Sequence, residues 1–174
     1  MGEIKKITPV KLISGFIFKD LSQLTKAEKI LEKKFGRIDF ESKVLPFNYT
    51  NYYEEEFGKP LNRKFVSFKK LILPNELPQI KIYTNTIEEK LSEKNKRLIN
   101  IDPGYLDLPK LVLATTKDYA HRIYLSKGIF AEITLSYKNG SFIPLKWTYA
   151  DYRTKEYINI FNQIREIYAG QISV

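Results

Sequence analysis

The sequence predicts one α+β domain over residues 1–174, with a mainly antiparallel sheet, a C-terminal three-strand meander and helices packed on the sheet. Three observations carry this expectation. Val10–Phe18 (VKLISGFIF) is a nearly continuous apolar run, which suits a strand buried on both faces. The stretch from His121 to Trp147 reads as three strands joined by turn signals at Ser126-Lys127-Gly128 and Asn139-Gly140. Leu77, Ile80, Thr84, Ile87 and Leu91, and later Ile158, Phe161, Ile164 or Arg165, and Tyr168, recur at helical spacing.

Between these landmarks the elements follow in order. Thr25-Lys26-Ala27-Glu28 has the pattern of a capping box, and Ala27, Ile30, Leu31 and Phe35 continue it as one helical face up to Gly36. Ile38–Leu45 reads as a second strand stopped by Pro46. In Asn48–Gly58 (NYTNYYEEEFG), Thr50 or Asn51 can cap a short helix whose positive end suits Glu54, Glu55 and Glu56. Arg63–Leu73 reads as a strand with basic flanks, and Pro78 sits early in the next helix, where its missing N–H does no harm. Lys96–Ile101 reads as a strand running into a turn at Asp102-Pro103-Gly104-Tyr105. Asp107–Thr116 fits either a helix capped by Asp107 or a strand, and the spacing of Leu108, Leu111, Val112 and Thr115 favours the helix. The last helix starts near Thr154. No repeat, linker or low-complexity tract interrupts the chain.

The meander predicts a specific polar row. A three-residue first turn with Gly third is a common bulged hairpin and pairs Leu125 with Ile129. His121, Ile123, Leu125, Ile129, Ala131 and Ile133 then share an apolar face, while Arg122, Tyr124, Phe130, Glu132 and Thr134 share the other. Arg122 faces Glu132 across the strands, and a two-residue Asn139-Gly140 loop sets Glu132 beside Trp147. Such a pair stabilises an exposed sheet by roughly 0.2–1 kcal/mol, or else orients a ligand at a pocket. His121, at the strand start on the apolar face, is expected to be buried and neutral.

Composition narrows the chemistry. There is no cysteine and one histidine, so thiolate metal sites, iron–sulfur clusters and cysteine nucleophiles are excluded, and neither a metal nor another cofactor is expected. No apolar run approaches the ~20 residues of a membrane span, and Met1–Lys6 has no signal-peptide pattern, so the expected location is cytoplasmic. The net charge is +9, with 29 Lys and Arg against 20 Asp and Glu. Such a surplus attracts polyanions, although these lysines are spread along the chain as on an ordinary solvated surface.

Thr116-Lys117-Asp118 approximates the base-reading [NT]-K-x-D motif of GTPases, but Lys and Asp are adjacent here. There is no G-x-x-x-x-G-K-[ST], G-x-G-x-x-G or G-x-S-x-G. A P-loop GTPase is therefore rejected.

IDFES at 38–42, NYTNYYEEEFG at 48–58, NIDPGYLDLPKLVLATTKDYAHRIYL at 100–125 and WTYADYR at 147–153 resemble the prokaryotic family called "domain of unknown function 4416". The resemblance runs from about Val10 to Tyr168. It implies no activity, and no functional residue is carried over from it.

Three functions are weighed. The first is a binding module for nucleic acid or a nucleotide-like anion, supported by the charge, by basic flanks at Lys59, Arg63, Lys64, Lys69 and Lys70, and by Tyr49, Tyr52 and Tyr53 as stacking surfaces. The second is a small enzyme for a phosphorylated or anionic substrate, with Asp102, Asp118 and His121 as catalytic candidates. Lys117, Arg122, Glu132, Tyr105 and Trp147 join the tyrosines as ligand-binding candidates. The third is a non-catalytic interaction protein, which would expose an apolar patch.

Overall fold

Apolar alternation along the first strand sets the architecture. In the computed structural model, which describes residues 2–4, 6–49 and 53–173, β1 (Lys11–Phe18) is buried over its whole length. Its Leu12, Phe16 and Phe18 point to one side and Ile13 and Ile17 to the other, so both faces of the sheet need cover. Around β1 the chain adds α1 (Leu21–Phe35), β2 (Ile38–Glu41), β3 (Leu45–Pro46), one-turn α2 (Glu54–Phe57), β4 (Asn62–Phe68) and α3 (Leu77–Lys90). Then come β5 (Ile99–Leu106), β6 (Lys110–Thr115), β7 (Ile123–Ser126), β8 (Ile129–Lys138), β9 (Ser141–Pro144) and α4 (Lys155–Ile172).

The strands form one antiparallel sheet in the order β2-β4-β1-β5-β6-β8-β7, with β3 continuing the β2 edge of β4 and β9 continuing the β7 edge of β8. Helices α1 and α3 pack on one face through Leu24, Ala27, Leu31, Ile80 and Ile87. Helix α4 packs on the other through Tyr157, Phe161, Ile164 and Tyr168 against Ile13, Phe65, Leu111 and Leu135. Helix α4 starts just after Thr154, as expected, and Thr154 caps it, its hydroxyl accepting from the Tyr157 amide. Among the described residues no helix is long and apolar enough to cross a membrane.

Several expectations are corrected. Helix α1 begins at Leu21, so Thr25 lies inside it and donates its hydroxyl to the Leu21 carbonyl; there is no capping box. Ile38–Leu45 is two short strands, not one, and β4 stops at Phe68. Thr50, Asn51 and Tyr52 lie outside the described residues. Residues 107–116 hold strand β6, not a helix, because Asp107 accepts from the Lys110 amide and closes a tight turn that returns the chain antiparallel to β5.

Asp102-Pro103-Gly104-Tyr105 is not a turn either; it is the interior of β5. Proline is accommodated there for a stereochemical reason. The Ile101 N–H and C=O both bond side chains of α3, on the side away from β1. Alternation then turns the Pro103 nitrogen to that side too, where no donor is needed because the β5–β6 ladder covers only Gly104–Leu106 with Leu111–Leu113. Gly104 is required for contact: a β-carbon there would lie 2.4 Å from the Val112 carbonyl oxygen. Beyond this contact β5 continues beside β1 while β6 diverges with β8, and the sheet splays.

The meander forms, but its third strand β9 stops at Pro144, so Trp147 lies in a turn and not on a strand beside Glu132 as expected, and its first loop is the two residues Lys127 and Gly128, both at positive φ. Ser126 therefore pairs with Ile129, and an irregularity at Leu125 restores the expected pairing of Tyr124 with Phe130 and Ile123 with Ala131. The burial of its two faces departs from the apolar reading, although Ile129 is buried as expected. Ile123, Leu125 and Ile133 are exposed, whereas Arg122, Glu132 and Thr134 are buried.

Candidate ligand cavity

The splay between β5 and β6 opens a cavity of about 590 Å³ next to the N-terminal end of α4. Its floor crosses five neighbouring strands: Arg63 on β4, Ile17 on β1, Asn100 and Asp102 on β5, Leu113 on β6 and Glu132 on β8. Phe47, Tyr49 and Tyr53 form one wall, and Tyr149–Tyr152 form another. From the opposite face of the sheet α3 reaches into the split. Lys81 Nζ donates to the Ile101 carbonyl at 3.0 Å, and Glu88 Oε1 accepts the Ile101 amide at 2.6 Å. Two side chains thus replace the missing ladder, as buried backbone groups require.

The β4 end is built on Arg63, which is 1% exposed. Gly15 on the adjacent strand leaves room for it, since a β-carbon there would stand 2.9 Å from Arg63 Nη2. Arg63 donates to the Tyr152 hydroxyl at 2.6 Å and to Asp102 at 3.3 Å. The rings of Phe65, Tyr152 and Phe47 surround the guanidinium at 4.7, 5.4 and 5.9 Å. Asp102 is shared with Lys81, 4.0 Å away. Burial pushes the Asp151 carboxyl above the usual aspartate range, with Arg63 opposing. Burial likewise raises Glu88, with Lys81 opposing. Arg97 holds Glu56 in a two-pronged pair at 2.7 and 2.8 Å and also donates to Glu88 and to Asn100 Oδ1.

The β8 end is built on Glu132, 2% exposed. Its Oε2 accepts from Arg122 Nε at 2.9 Å and lies 3.0 Å from His121 Nε2. Arg122 spends its other branches on the Lys117 carbonyl and the Tyr149 hydroxyl. The His121 ring stacks between Tyr119 and Trp147, and Trp147 Nε1 donates to the Ile133 carbonyl.

Of the candidates named from sequence, Asp102, Lys117, Arg122, Glu132 and Tyr53 line the cavity. His121 and Trp147 stand behind the cavity wall, His121 through its contact with Glu132 and Trp147 through its stack on His121. His121 is partly exposed, not buried, because the chain turns just before β7 and lifts it off the sheet. Asp118 is exposed and outside the cavity, and Tyr105 packs on the opposite face of the sheet. Tyr52 is outside the described residues. Sequence reasoning placed Arg63 among basic flanks and did not single out Lys81, Glu88, Asn100, Tyr149, Asp151 or Tyr152 as site residues. Asn100, Tyr149, Asp151 and Tyr152 fall within the segments NIDPGY and WTYADYR, whose polar and aromatic density was the available signal. Among the described residues, no group of three or more His, Asp or Glu side chains is placed to hold a metal ion.

Fold and site together define an antiparallel α+β protein with a polar cavity set into a split sheet. The chain belongs to the family described as Domain of unknown function (DUF4416), whose profile matches residues 8–168. Comparison with curated proteins and with solved structures gives no match.

Proposed function

We propose that the protein binds a small, nucleotide-like anion in the split-sheet cavity. The observation that carries this reading is the fully buried Arg63 at the cavity floor, whose ion-pair partner Asp102 is shared with Lys81. Five cations and five carboxylates line the cavity, and burial raises the carboxyls of Asp151 and Glu88 among them. The volume suits a ligand of mononucleotide size, and the tyrosine walls suit a planar ring. A polymeric nucleic acid is the weaker form of the reading. Of the five residues expected as a basic flank, Arg63 is buried in the cavity floor and Lys64 is buried between Glu28 and Glu41, so the flank is not a continuous basic surface.

Thermal unfolding with nucleoside monophosphates and with single-stranded RNA, at low and moderate salt, tests the proposal. A ligand at ~100 times its Kd adds about 2.7 kcal/mol of stability. The expected result is stabilisation by the mononucleotide and its loss in Arg63→Lys. Stabilisation by RNA alone, falling steeply with salt, would favour a surface interaction instead.

A further inference from the structure

Two residues of the expected basic flank, Lys69 and Lys70, are exposed just past β4, and the fold sets them beside the end of α1. The Lys69 amide donates to the Arg37 carbonyl at 2.8 Å, and Lys70 Cβ would stand 3.5 Å from a β-carbon on Gly36. Lys33 and Lys34 occupy the last turn of α1 and are exposed, as is Arg37. Among the described residues five exposed cations thus meet at one corner of the molecule, and none of them lines the cavity. The partial negative charge at the C-terminal end of α1 accounts for Lys33 and Lys34. It does not account for Arg37, Lys69 and Lys70, which lie outside the helix. Among the described residues none of the five forms an ion pair. Lys34 lies 5.4 Å over the Tyr83 ring, a partner that carries no charge. Four carboxylates of the same corner are engaged elsewhere: Glu28 and Glu41 with the buried Lys64, Asp39 with the buried Lys11, and Glu32 with the Ile38 amide.

Lys26 and Lys29 extend the group along α1. They precede Lys33 by seven and four residues, a spacing that keeps all three on one side of the helix over about 10 Å. From Lys26 to Arg37 every exposed residue is charged, while Ile30 and Phe35 pack inward. We infer that this ridge docks duplex nucleic acid through its phosphate backbone, at a surface separate from the cavity. One strand of a duplex carries a phosphate about every 3.4 Å along the axis, and a line of cations without carboxylate partners complements such a row better than it complements one small anion. The ridge has no exposed ring, and single strands are held largely by stacking on aromatic side chains. It has no exposed aliphatic tip either, and charge without an apolar anchor holds a lipid surface only marginally. Contacts of this kind reach phosphates and not base edges, so binding is indifferent to sequence.

The test follows the fluorescence anisotropy of labelled DNA and RNA duplexes of two unrelated sequences over a range of salt. The parent protein is expected to bind both sequences alike. In the triple variant Lys33→Gln, Arg37→Gln, Lys70→Gln the affinity at about 0.1 M salt is expected to fall by about a hundredfold, and the slope of log K against log salt to flatten by about 3. A control triple, Lys94→Gln, Lys138→Gln, Lys146→Gln, removes the same charge from exposed positions on other segments and is expected to change neither by much. Equal losses in the two triples would mean that net charge alone attracts the duplex, and would overturn the inference. So would a parent protein that binds neither duplex at that salt, or one that sediments with phosphatidylserine vesicles and ignores both duplexes. Arg63→Lys, which tests the cavity, is expected to leave duplex binding unchanged, so the two proposals stand or fall separately.

Discussion

Gly104 of β5 and Val112 of β6 approach so closely that a β-carbon on Gly104 would lie 2.4 Å from the Val112 carbonyl oxygen. One residue earlier, Pro103 supplies no N–H and the two strands part. A close approach and a parting of the strands are therefore consecutive, and the cavity depends on both.

Gly104→Ala is expected to destabilise the protein by about 1–3 kcal/mol, because the obstacle is backbone and not a flexible side-chain tip. Urea unfolding should show a lower midpoint with an unchanged slope. A variant as stable as the parent would contradict the close approach.

The Arg122–Glu132 pair gives a second expectation. Both side chains are 2% exposed, so removing one leaves a buried charge. Glu132→Ala should cost about 3–5 kcal/mol. The double replacement Arg122→Met with Glu132→Leu should cost clearly less than the sum of the two single changes. Additive losses in a double-mutant cycle would mean the groups do not interact.

That pair was legible in the sequence through strand alternation, and the irregularity at Leu125 offset the misread first turn and kept the expected register. Which face is buried was not legible. The apolar residues Ile123, Leu125 and Ile133 look like a core face, yet they stay exposed at the end of the sheet, while the polar face closes over the cavity. Strand β1 and helices α3 and α4 were readable from periodicity alone. Residues 107–116 were not, since Leu111, Val112 and Leu113 fit either period and the turn at Asp107 and the pairing with β5 and β8 decide. The Pro103-Gly104 pair misled for a related reason: it reads locally as a turn, and its structural role appears only when β1 and β6 lie on either side. Arg63 was hidden because, next to Lys64 at the start of the strand, it looks like part of a basic flank until Gly15 on the neighbouring strand makes room for it.

Gly15→Ala should expose that dependence. The added carbon meets Arg63 Nη2 and the Phe65 ring at 2.9 Å, so the guanidinium must shift. The expected outcome is a loss of about 1–3 kcal/mol in stability, together with a marked drop in the extra stabilisation that nucleoside monophosphates give. Undiminished ligand stabilisation in this variant would remove Arg63 from the binding site.

Asp151 predicts a pH effect of definite sign. Burial, opposed by Arg63, raises its carboxyl above the ordinary aspartate value in the folded state. Such a group supports folding fully below the ordinary value, and that support fades as pH rises through the elevated one. Relative to the parent, Asp151→Asn should therefore gain stability as pH increases across that window. Parallel stability–pH curves for the two proteins would show that Asp151 is not perturbed.

Three residue pairs are all that join β5 to β6, whereas β1 and β5 pair over eight. The sheet is in effect two plates on a short hinge, one carrying Arg63, Asn100 and Asp102 and the other Leu113 and Glu132. A molecule that touches both plates braces the hinge from within. Occupancy should then slow amide hydrogen exchange in Tyr105 and Val112, although neither residue needs to contact what is bound.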